Sequence, residues 1–251
     1  MKKLALLLGA LALSLGAAAQ TLLGGAEFSM KLPASLSAGA EVEYRTMNWF
    51  DHTEQWSIAA DLGYKPLKCL KLGVQYKFIQ AHNLAGRTNG GYDYNAYWDN
   101  KHRVSLSATG SLKVWKFSLS LRERYQYTYR PSHEIPRFDD GEPAGNRTID
   151  AKSKHILRSR AQVEFKAYKK CPWTPYASFE LYSLLKEVNH TDADKATDPA
   201  KFCDKFRVTA GCEYKINKHN GLDLFYRFAS NNDYEELDMS HTIGLVYSFS
   251  L

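Results

Sequence analysis

Residues 115–130 read WKFSLSLRERYQYTYR. One parity carries Trp115, Phe117, Leu119, Leu121, Tyr125, Tyr127 and Tyr129, broken only by Glu123. The other carries Lys116, Ser118, Ser120, Arg122, Arg124, Gln126, Thr128 and Arg130. Side chains of a strand point alternately to opposite sides, whereas an amphipathic helix repeats its apolar residues at i, i+3 and i+4, so the stretch reads as a strand with two unlike faces. At about 3.3 Å per residue it reaches roughly 50 Å. A globular strand has about 5 or 6 residues, while a tilted membrane-spanning strand needs about 9 to 11 and can continue past the bilayer. The stretch therefore predicts a wall strand of a transmembrane β-barrel.

The rest of the chain supplies the context that class requires. Lys2 and Lys3 precede an apolar run over residues 4–16 and the small residues Ala17, Ala18 and Ala19 before Gln20. This pattern reads as a secretory signal peptide over residues 1–19, cut after Ala19. No Cys follows the small residues, so no lipid attachment site is expected. No later segment approaches 18 uninterrupted apolar residues, which leaves an exported soluble protein or a barrel that spreads its apolar residues by alternation. Without a linker or a shift in composition, the mature chain reads as one domain. Cys69, Cys171, Cys203 and Cys212 lack metal-ligand spacing and are read as small apolar residues without a bridge.

Period-2 rows recur along the chain. They run through Ala38–Tyr44, Trp56–Tyr64, Leu70–Phe78, Arg103–Ser107, Leu157–Phe165, Ala177–Leu181, Phe206–Tyr214, Leu222–Phe228 and Ile243–Leu251. With the opening stretch they predict an all-β, antiparallel up-and-down barrel of about ten strands, or twelve, over residues 36–251. Residues 20–35, with a short apolar segment from Ala26 to Leu32, are expected as a periplasmic lead-in, since an eleventh span would spoil an even meander. Connections alternate between tight turns, such as the one at Asn220-Gly221, and longer polar loops, among them PRFDDGEPAGN. In outer-membrane barrels the turns face the periplasm and the loops face outside.

A soluble barrel also alternates, but loop asymmetry, the signal peptide and strand length favour the membrane. The expected partners are outer-membrane lipid, lipopolysaccharide and the insertion machinery, whose C-terminal signal Tyr247, Phe249 and Leu251 resemble, with Leu251 in place of the usual aromatic. The Arg-bearing strands LRERYQY, ILRSRAQVEF and FRVTAGCEY, with PYASFELY and the closing GLVYSF, resemble the family of domain of unknown function 2490, predicted outer-membrane barrels. The resemblance implies a barrel in a Gram-negative outer membrane. It brings no catalytic residue with it.

If the apolar parity faces lipid, the lumen receives Arg45, Lys77, Arg103, Arg122, Arg124, Arg158, Arg160, Arg207 and Arg227. It also receives Glu41, Glu43, Asp61, Glu164, Glu180, Glu213 and Asp223. The first expectation is an ion-pair network, with Arg122, Arg124, Arg158 and Arg160 pairing mainly to Glu164 and Glu180, that fills a structural barrel. The second is a narrow pore favouring small anions. Lysines gather at the tight turns, and acids, including Asp192, Asp194 and Asp198, in the long loops, where hard divalent cations are the conceivable ligand. Asp51-His52 and His190 to Asp194 supply the residue types of an outer-rim hydrolase of omptin kind, without its spacing. No cofactor motif is present, and export disfavours a nucleic-acid role.

Overall fold

The computed structural model describes residues 21–48, 50–168, 171–190, 197–198, 200–232 and 237–251. The expected signal peptide, and with it Lys169, Lys170, Asp192 and Asp194, lies outside these residues. In chain order the strands are β1 Thr21–Lys31, β2 Leu36–Met47, β3 His52–Leu67, β4 Leu70–Asn83, β5 Gly86–Arg87, β6 Asp93–Tyr94, β7 Tyr97–Val114 and β8 Phe117–Arg130. They continue as β9 His133–Asp139, β10 Glu142–Ile149, β11 Lys152–Phe165, β12 Trp173–Asn189, β13 Thr197–Asp198, β14 Lys201–Lys215, β15 Asn220–Asn232 and β16 Leu237–Ser250. Ten of them, β2, β3, β4, β7, β8, β11, β12, β14, β15 and β16, make the antiparallel up-and-down meander expected from the alternation.

The segment read as a lead-in is instead the eleventh wall strand. β1 pairs antiparallel with β2, from Thr21↔Met47 to Lys31↔Ser37, and parallel with β16, from Thr21↔Thr242 to Ser29↔Ser250. It therefore closes the sheet between the two ends of the meander. The reason is backbone satisfaction: an open sheet edge in hydrocarbon leaves N–H and C=O groups unpaired, and a strand inserted at the seam pairs both edges whatever the parity of the count.

β8 runs in register with β11 over its whole length, from Phe117↔Phe165 to Arg130↔Lys152. Its apolar parity, Leu119, Leu121 and Tyr125, is exposed on the outer wall, while Arg122, Arg124 and Gln126 point inward. The first two residues of the opening stretch do not belong to it. Trp115 and Lys116 form the two-residue turn after β7, with Trp115 at φ 54° and the Lys116 ammonium 4.8 Å from its ring.

Aromatic groups mark both borders of the outer apolar band, as in membrane barrels. At the tight-turn end Phe117 packs on Phe165 at 5.3 Å between centroids, Trp173 on Tyr214 at 4.3 Å and Phe28 on Phe249 at 6.0 Å. Nearer the long-loop end one arrangement occurs three times. The Tyr76, Tyr125 and Tyr226 hydroxyls meet Nδ1 of His102, His155 and His241 at 2.8, 2.6 and 2.5 Å, each across a strand pair. These three histidines are thus wall residues with phenol partners.

Two of the loops are not irregular. β10, β9, β6 and β5 form a separate four-stranded sheet at the long-loop end. Its hairpin turns at Asp140-Gly141, both at positive φ (46° and 88°), the geometry of a two-residue turn whose Asp-Gly signal lies within PRFDDGEPAGN. Arg87, Arg137 and Arg147 with Tyr92 and Tyr94 line a hollow there, so the acids of these loops share the rim with a basic and aromatic hollow.

Candidate functional site

The inward faces of β8 and β11 bring four guanidinium groups together. Register places Arg122 directly opposite Arg160, and Arg124 directly opposite Arg158. The next strand places Glu180 opposite Arg160, and the strand after it places Arg207 opposite Glu180.

Glu180 is buried and takes most of the available contacts. Arg158 Nη2 donates to it at 2.7 Å and Arg122 Nη2 at 3.2 Å, Arg207 Nη1 lies at 3.5 Å, and the Tyr182 hydroxyl donates at 2.8 Å. The Arg158 and Arg207 guanidinium groups also lie over the Tyr182 ring, at 4.5 and 5.2 Å. One carboxylate thus serves three arginines, and a buried phenol completes its shell. Alternation puts Tyr182 on the polar parity, but its part in the network needed the strand pairing to be seen.

The sequence-predicted lumen residues divide into groups. Arg45 Nη2 lies 2.7 Å from Glu43 Oε1, and Lys77 lies 2.5 Å from Glu41 and 4.0 Å from Glu43, so β2 and β4 form a second ion-pair group. Arg103 donates through Nε to Thr128 at 2.9 Å, and Arg227 lies over the inward ring of Phe225 at 4.6 Å. Glu164 does not join the arginines. It stands opposite Ser118 and Tyr176, toward the tight-turn end, and accepts from Gln162 at 3.0 Å. Arg124 and Arg160 meet no carboxylate among the described residues. The Nε atoms of Arg122, Arg124, Arg158 and Arg160 are all buried without an acceptor.

These groups line a chain of hollows. The central one, about 540 Å³, is bordered by eleven cationic side chains and four carboxylates, Glu41, Glu43, Glu180 and Asp204. It shares Glu41, Gln75, Arg122, Arg124 and Arg160 with a hollow of about 460 Å³ that also touches Glu27, Asp61 and Lys71. Toward the loop end it shares Arg45, Lys205, Arg207 and Arg227 with a third, of about 410 Å³, which reaches Asn48 and His52. The wall beside these hollows is fitted closely: Phe225 covers Gly244 and, with Tyr176, brackets Gly211, where an added Cβ would overlap the rings.

The other sequence-predicted groups are less assembled. Asp51 lies 3.2 Å from His52, and both are exposed. His190 Nε2 is 3.1 Å from the buried Ser153 hydroxyl, while Asp192 and Asp194 lie outside the described residues. Asp198 is placed by its backbone in β13. No group of three His, Cys, Asp or Glu residues among the described ones is arranged to hold a metal ion. None of the four cysteines forms a disulfide.

Comparison with known proteins agrees with this architecture. The β domain of the Bordetella autotransporter Brka is similar at 12% identity and a TM-score of 0.56, over 86% of this chain and 83% of that one, a likeness of fold. No curated protein matches the chain. The model of the family described as "protein of unknown function (DUF2490)" matches residues 22–238, and the chain belongs to that family.

Proposed function

We propose that this protein resides in the outer membrane, with its tight turns toward the periplasm and its long loops outside, and that its lumen is a narrow, anion-preferring pore. The carrying observation is the succession of three hollows that share lining residues along the lumen, the central one bordered by far more guanidinium and ammonium groups than carboxylates. Fixed positive charge in a low-dielectric channel raises the local concentration of anions and disfavours cations. The exposed apolar wall between aromatic borders, and the N-terminal export pattern, support the location.

The competing reading is a structural barrel, and the Glu180 network is what favours it. Planar-bilayer recording separates the two. Discrete conductance steps, with a reversal potential in a KCl gradient displaced toward chloride, are the expected result. A protein that inserts, shows heat-modifiable migration and yet carries no current would establish the structural barrel instead.

A further inference from the structure

We infer that Arg124 and Arg160, with Arg122 and Arg158 behind them, form a binding site for a phosphate group inside the lumen. The inference rests on the pore reading, because a soluble ligand must reach the site through the chain of hollows.

The argument begins with the register. Like charges directly opposite on neighbouring strands are destabilising, yet β8 and β11 present two such pairs side by side, Arg122 with Arg160 and Arg124 with Arg158. Glu180 relieves half of this. It binds one guanidinium of each pair, Arg122 and Arg158, and a third from β14, Arg207. The other member of each pair, Arg160 and Arg124, meets no carboxylate among the described residues.

Burial adds to the cost. All four guanidinium groups hold an Nε–H that is buried without an acceptor, as Arg45, Arg130, Arg207 and Arg227 also do, and a buried donor left unpaired costs free energy. What sets this place apart is the like-charge register together with the absence of a carboxylate at Arg124 and Arg160 among the described residues. Arg122, Arg124 and Arg160 also border both the central hollow and the one toward the tight turns, so an occupant would sit where the two meet. A ligand that answers both the clustered positive charge and donors converging from two strands is anionic and offers several acceptors. A guanidinium matches carboxylate or phosphate as a planar fork, and a phosphate adds a third oxygen and a charge of about −1.5 to −2. Chloride supplies one charge and no such geometry.

Inorganic phosphate is the probe. The detergent-folded barrel is heated with phosphate or with chloride at matched ionic strength, and the midpoint of its gel-migration shift is read. Phosphate well above its dissociation constant is expected to raise the midpoint by about 5 °C relative to chloride. It is also expected to reduce the bilayer current at the same ionic strength. The Arg124→Gln/Arg160→Gln variant should lose the shift. Should that variant fail to fold, Arg124→Lys/Arg160→Lys keeps the charge without the fork and should lose most of the shift.

Equal midpoints for wild type in phosphate and chloride, or a full shift retained in the folded variants, would overturn the site. A phosphate shift without any conductance would leave the site standing and remove the pore. Conductance untouched by phosphate, with no thermal shift, would do the reverse.

Discussion

Two corners of one wall, both built from arginine, have unlike states. At the Glu180 corner Arg122, Arg158 and Arg207 share one buried carboxylate with the Tyr182 hydroxyl. Beside them, on the same two strands, Arg124 and Arg160 face the lumen without a carboxylate. Arg122 and Arg158 share residue type, face and strand pair with Arg124 and Arg160, so the difference comes from where the neighbouring strand delivers Glu180. Buried ion pairs hold together only when their hydrogen bonds are satisfied. The first corner therefore fastens β8, β11, β12 and β14 to one another, while the second presents its guanidinium donors to the lumen.

The largest effect should come from removing the shared acid. Glu180→Gln leaves three guanidinium groups without their carboxylate and is expected to cost about 3 to 5 kcal/mol of stability, read as a lower urea midpoint of unfolding from micelles. An unchanged midpoint would mean that the two corners do not differ. Next comes a test of the face assignment on which both depend. Val74, exposed on the outer wall between Leu62 and Leu106, should reject arginine: Val74→Arg is expected to cost about 2 to 4 kcal/mol, seen as loss of the heat-modifiable species. Ser120→Arg, on the inner parity, should assemble better, and equal tolerance on both faces would undo the membrane reading.

Alternation made the faces legible. It gives the side of the wall on which a residue stands, and so identified Arg122, Arg124, Arg158, Arg160 and Glu180 as lumen residues. It does not give height, because in a closed barrel the strands tilt and their register is staggered by the shear. That is why Glu164, of the lumen parity, looked like a partner for Arg122 and Arg124 of the neighbouring strand but stands opposite Ser118, near the tight turns. β1 was hidden for another reason. Gly24 and Gly25 dilute its pattern, and its parallel pairing with β16 joins the two ends of the chain, a contact that no local signal announces. The Asp140-Gly141 hairpin was readable, and only the length of the polar stretch around it suggested a loop.

The smallest effect should be the most telling, because the two corners predict opposite signs. Arg158→Gln removes a guanidinium that Glu180 holds at 2.7 Å, so it should destabilise the barrel. Arg124→Gln removes the group directly opposite it, which holds no carboxylate and repels its neighbour, so in phosphate-free buffer it should leave stability unchanged or raise it by about 0.2 to 1 kcal/mol. The gain should shrink as salt is added, since the interaction is a repulsion across a wetted lumen. It should change sign in phosphate, where wild type gains a ligand that the variant has lost. A double-mutant cycle over the pair supplies the check: the coupling between Arg124 and Arg158 should be unfavourable in chloride, whereas that between Arg158 and Glu180 should be favourable. If both couplings were favourable, Arg124 would belong to the same fastening network as Arg158, and the contrast between the corners would disappear.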